Sequence, residues 1–125
     1  MAKKFENKEF RASVLTKFDF KCAYCGIDLS GERFHLDHFI PKRRGKYRDE
    51  TKERGKDTFE NYMPSCPQCN ASKSDLSIED FRERVYSRLV MLNKYSGEYR
   101  MAKRFGLVVE DNKPIIFHFE SYIKD

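Results

Sequence analysis

The chain has 125 residues, 39% hydrophobic and 36% charged, with 25 Lys and Arg against 20 Asp and Glu for a net charge of +5. That length fits a single domain over residues 1–125 with a modest core, for which a bound metal is a useful supplement. No apolar run approaches the roughly 20 residues of a membrane span, and none follows Met1 as a secretory signal requires, so membrane and export classes are excluded as expectations. The positive balance favours a polyanionic partner.

In chain order, residues 7 to 17 have helical spacing, with Asn7 as cap and Phe10, Val14 and Leu15 on one face. Cys22-Ala23-Tyr24-Cys25-Gly26 is a tight metal-knuckle turn, for which Gly26 permits a positive φ. Arg33 to Ile40 reads as a strand ended by Pro41. The polar insert from Lys42 to Glu60 holds eight basic residues against five acidic ones. It is either a solvated loop or a loop that tracks phosphates. Thr58 to Met63 is a second extended segment leading to Cys66.

After the second cysteine pair, Ser77 caps a helix to about Tyr95, with Ile78, Phe81, Val85, Leu89 and Leu92 on one face and Gly97 as its stop. A short helix follows over Glu98 to Phe105, closed by Gly106. Leu107-Val108-Val109 and Ile115-Ile116-Phe117 then flank a turn and predict a hairpin.

The chemistry concentrates in two places. All four cysteines lie in two C-x-x-C pairs, Cys22 with Cys25 and Cys66 with Cys69, separated by 40 residues. In a reducing cytoplasm such pairs favour thiolate–metal bonds over disulfides, and four thiolates saturate a structural zinc ion. A redox pair would not need a duplicate. Asp37 and Asn70 offer hard oxygen donors suited to magnesium or manganese, and His38 beside Asp37 brings an imidazole, the side-chain type most suited to a general base near neutral pH. Singly, each has a plainer role: Asp37 and His38 as a strand-end pair, Asn70 as a helix cap, Asn61 as a turn residue, Lys73 as a solvated lysine. His35 and His118 read as structural or surface residues.

Taken together, Cys22 and Cys25, then Asp37-His38 followed by Pro41, then Asn61, then Cys66, Cys69, Asn70 and Lys73 resemble the HNH endonucleases over about residues 20 to 75. The subgroup with four zinc cysteines, which includes phage resolvases of branched DNA, is the most similar. The resemblance implies an α+β architecture with a ββα-metal core, to which this chain adds an N-terminal helix, a C-terminal helix and the hairpin. It implies a DNA endonuclease in which Asp37 and Asn70 bind a catalytic divalent ion (Mg2+, Mn2+ or Ni2+). His38 acts as general base, and Asn61 holds the loop that orients it. The products would carry a 5′-phosphate and a 3′-hydroxyl.

Lys42, Arg43, Arg44, Lys46 and Lys73 are the expected DNA contacts. The cytoplasm of a bacterial or phage-infected cell is the expected location, and a homodimer is the simplest way for one site per chain to cut both strands. The family often has histidine at the positions of Asp37 and Asn70. A zinc-stabilised DNA-binding module with weak or no hydrolysis is the competing function, and a protein-interaction domain is a third.

Overall fold

The computed structural model describes residues 7–42 and 54–123. The Asn7 side chain accepts hydrogen bonds from the amides of Glu9 at 2.7 Å and Phe10 at 3.1 Å, and so starts helix α1, Lys8–Leu15. A 3₁₀ turn over Thr16–Phe18 carries the chain into the first cysteine pair. There Gly26, at φ +80°, lets its amide reach back to the Cys22 carbonyl at 3.0 Å.

Strand β1, His35–His38, pairs antiparallel with β2, Tyr62–Ser65, with His35 opposite Ser65 and His38 opposite Tyr62. Helix α2, Pro67–Lys73, follows β2 directly. Its first turn is set by Pro67, whose fixed φ suits that position, and by the Cys66 sulfur, which accepts from the Cys69 amide at 3.3 Å. β1, β2 and α2 in this order form the expected ββα core of an α+β fold. β1 is shorter than the extended stretch in the sequence because pairing lasts only over the four residues that face β2. Part of the second extended segment is instead a 3₁₀ turn, Phe59–Asn61, ahead of β2.

The long helix α3, Ile78–Tyr95, begins as expected, with the Ser77 hydroxyl accepting from the Asp80 amide at 3.2 Å. Gly97 does not stop it. Ser96 breaks the helix at φ −104°, ψ 102°, and its hydroxyl then caps α4, Gly97–Arg104, by accepting from the Tyr99 amide at 3.1 Å. Gly106, at φ +77°, closes α4.

The expected hairpin is not formed. Residues 107–117 hold no strand, and the described chain ends in a 3₁₀ turn, His118–Tyr122. The backbone groups a sister strand would use are taken elsewhere: the Ile115 amide donates to the Tyr86 hydroxyl, and the Ile115 carbonyl accepts from Arg82. The amides of His118 and Phe119 donate to the carbonyls of Tyr24 at 3.0 Å and Ala23 at 2.7 Å. The tail therefore binds the cysteine knuckle rather than itself.

The reason is the core. Phe81 and Phe117 stack with centroids 5.2 Å apart, and the ring of Tyr24 stands edge-on to both. Around them pack Cys22, Ala23, Leu29, Met63 and Cys66. One apolar cluster thus unites the knuckle, β2, α3 and the tail. Phe81→Ala should cost about 3–5 kcal/mol of stability. Chemical denaturation of the metal-loaded protein checks this, and an unmoved midpoint would show that the ring stack does not hold the tail to the core.

Candidate metal centre and active site

The knuckle and the β2–α2 junction bring the four sulfurs of Cys22, Cys25, Cys66 and Cys69 within 4.8 Å of one another. Cys25 Sγ and Cys66 Sγ are 3.8 Å apart. A tetrahedral ion with metal–sulfur bonds of about 2.3 Å separates its ligands by about 3.8 Å, so the set fits zinc. Backbone amides point at the sulfurs as well: Cys66 N–H donates to Cys22 Sγ at 3.4 Å.

The protons of these thiols are badly shared. A hydrogen bond from Cys69 chiefly lowers Cys22 to about 4, burial chiefly raises Cys25 to about 11, and the same Cys69–Cys22 bond pushes Cys69 up. Four thiolates this close repel one another unless a cation lies between them, which is the charge a divalent ion supplies.

Beneath this cluster is a buried polar knot. Asp37 on β1 is 6% exposed, and its Oδ2 accepts from both the Tyr24 hydroxyl and the Lys73 ammonium, the latter at 3.1 Å. Burial raises the Asp37 carboxyl, opposed by the Lys73 charge and the Tyr24 hydroxyl. Burial beside that carboxylate also drives Tyr24 well above the usual phenol range, which keeps it a donor. Among the described residues Asp37 Oδ1 takes no hydrogen bond, so one carboxylate oxygen is left for a ligand.

Lys73, expected as a DNA contact, is corrected by this geometry. It is 0% exposed, and its ammonium is held by Asp37 Oδ2 and by the His38 carbonyl at 2.9 Å. Its charge is the counterion of a buried carboxylate and cannot reach a phosphate. Asn70 lies one turn before Lys73 on α2, which packs on β1, and is half-buried. It stands one residue past the last cysteine.

His38 follows at the end of β1, its ring 4.7 Å from that of Tyr62. Its Nε2 bonds Asp57 Oδ1 at 2.8 Å, and Lys42 holds the second oxygen of Asp57 at 3.1 Å. Lys42 is exposed, as expected, but is tied into this relay. The His38 bond first, then that from Lys42, keeps the Asp57 carboxyl below the usual range. Among the described residues Asn61 forms no hydrogen bond with His38. Its side chain accepts from the Ile40 amide at 2.8 Å and donates to the carbonyls of Ile40 and Lys56, each at 3.0 Å, so it holds the loop after β1. Gly55 crosses that loop so closely that a Cβ would lie 1.5 Å from the Ile40 carbonyl oxygen. Arg43, Arg44 and Lys46 lie outside the described residues.

A family model described as HNH endonuclease matches residues 22–76. Over those residues the chain is similar to the HNH endonucleases. No curated protein and no solved structure matches the chain.

The match spans both cysteine pairs, β1, β2 and α2, and leaves α3, α4 and the tail as additions to the HNH unit. Among the described residues no helix is long and apolar enough to cross a membrane. Two members of this centre escape a reading of the sequence. Tyr24 sits inside the first C-x-x-C, where any residue fits the spacing, and Asp57 is one acid in a charged insert. Only the fold carries them to Asp37 and His38. The purified protein should contain one thiolate-bound metal ion per chain by elemental analysis, and Cys69→Ser should release it and lower the melting temperature. A metal-free wild type that melts unchanged would contradict the clamp.

Proposed function

We propose that this protein is a metal-dependent DNA endonuclease with a structural zinc ion on Cys22, Cys25, Cys66 and Cys69. The observation that carries the reading is the division of labour on β1. A buried carboxylate offers one open oxygen, and the next residue is a histidine whose Nε2 is bonded to a carboxylate. Nε2–H donating to Asp57 leaves the lone pair on Nδ1, the form a general base requires.

In this reading His38 takes a proton from a water molecule, and the resulting hydroxide attacks phosphorus. The bond from phosphorus to the 3′-oxygen breaks, that oxygen is protonated by solvent, and a 5′-phosphate and a 3′-hydroxyl result. A divalent ion on Asp37 and Asn70 would supply charge stabilisation at the phosphate. Tyr24 and Lys73 hold the carboxylate in place, and Asn61 keeps the following loop in register. The overall chain, HNH core and helical extension together, acts as one unit through the shared aromatic cluster.

A DNA-binding module without hydrolysis is favoured by one feature: the Lys73 ammonium already neutralises Asp37 and competes with a cation there. Plasmid nicking with magnesium, manganese or nickel separates the two readings. His38→Ala should lower the cleavage rate by about 10²–10⁴-fold with the zinc content intact. Asp57→Ala should lower it by about 10–100-fold with KM preserved, because it loosens the imidazole without touching DNA. Full cleavage by the His38 variant would sink the assignment, and DNA binding with no cleavage under any of the three ions would favour the module.

A further inference from the structure

The sequence directs attention to the insert as the electrostatic footprint, yet a denser one lies on the helical extension. Between Arg84 and Arg104 the chain has six basic residues, Arg84, Arg88, Lys94, Arg100, Lys103 and Arg104, and one acidic residue, Glu98. That excess of five equals the net charge of the whole chain. On α3, Arg84, Arg88, Met91 and Tyr95 fall at intervals of four, three and four, so they share one stripe, and all four are exposed.

This stripe is anchored to the helix that carries Asn70. Arg84 donates to the Ser72 carbonyl at 2.7 Å, and Arg88 donates to the Ser72 hydroxyl at 3.0 Å. A guanidinium has five donors, so each keeps most of its hydrogen-bonding capacity for a ligand. Among the described residues neither forms an ion pair with a carboxylate, and Asp80, one turn before Arg84, does not bridge to it. Arg82 shows the contrast, since Glu79 and Glu120 occupy it. Two guanidinium groups without a counter-charge, exposed on α3 and docked on Ser72 of α2, have the chemistry of a phosphate contact.

We propose that Arg84 and Arg88 grip the sugar–phosphate backbone of the duplex DNA held by the HNH core, and that the exposed stripe they share with Met91 and Tyr95 extends this backbone contact along α3. The proposal rests on the endonuclease reading above and adds where the substrate lies. From Arg84 to Tyr95 the helix rises about 16 Å, close to five base-pair steps of about 3.4 Å. The contact carries no base readout, so it extends affinity rather than sequence preference.

The test is fluorescence anisotropy with a 30-base-pair duplex across a salt series, without added catalytic ion, alongside plasmid cleavage by the wild type. The R84Q/R88Q protein should bind roughly tenfold more weakly, with a salt slope lower by about 1.8, the loss of two phosphate contacts. R84K/R88K should keep the slope because it keeps the charges, whereas a purely structural tie to Ser72 would be lost in both variants. Lys113→Gln, outside the stripe, serves as the control. A wild-type slope in R84Q/R88Q overturns the proposal while leaving an active nuclease intact. Equal losses in both double variants overturn it in favour of a helix–helix tie. A changed oligomeric state with unchanged DNA affinity overturns it in favour of a second copy of the chain. A wild type that neither binds nor cuts DNA removes the endonuclease reading and the proposal together.

Discussion

Four sulfurs within 4.8 Å of one another are the constraint on which the rest of this structure depends. They cannot all be charged without a cation between them, and they cannot be brought together without closing a long excursion of chain. Closing it sets β1 against β2 and positions α2 at the end of β2. The aromatic stack of Tyr24, Phe81 and Phe117 then seals the knuckle from the other side, so the metal clamp and the apolar core share residues instead of lying in separate layers. A small chain gains from that overlap, since loss of either would loosen the other.

The buried knot of Asp37, Tyr24 and Lys73 is a different kind of device. An ion pair removed from water gains little net stability, because desolvation offsets most of the Coulomb attraction. What it supplies here is orientation. Lys73 reaches from α2 to a carboxylate and a carbonyl on β1, and Tyr24 reaches to the same carboxylate oxygen from the knuckle. Three separate pieces of chain thereby agree on the direction of one carboxylate, and leave its second oxygen available.

How much of this was legible in the sequence divides along physical lines. The cysteine pairs were readable because coordination chemistry demands one residue type at fixed spacing. α1 and α3 were readable because caps and a 3.6-residue period leave a local record at Asn7, Ser77 and Phe81. Lys73 was misread because a lysine on a polar helix looks solvated, and nothing local shows that its ammonium meets a buried acid. Asp57 was missed for a related reason: in a charged insert every acid looks alike until the fold selects one. The hairpin failed because two apolar runs around a turn show that strands are affordable, not that they pair. Here Phe117 gains more in the core than it would on a small isolated ribbon, which is marginal alone.

The loop after β1 has a consequence for how the chain tolerates change. The Gly55 amide meets the Pro41 carbonyl at 2.9 Å, and the Asn61 side chain joins Ile40 to Lys56, so both ends of the insert are stitched at its base. That stitch closes the insert as a loop next to β1. Its length then enters the free energy only through the slow logarithm of loop closure, about 0.6 kcal/mol per doubling. The base of this insert is a socket: segments of different size and charge can be exchanged there while His38 and its partners stay where they are.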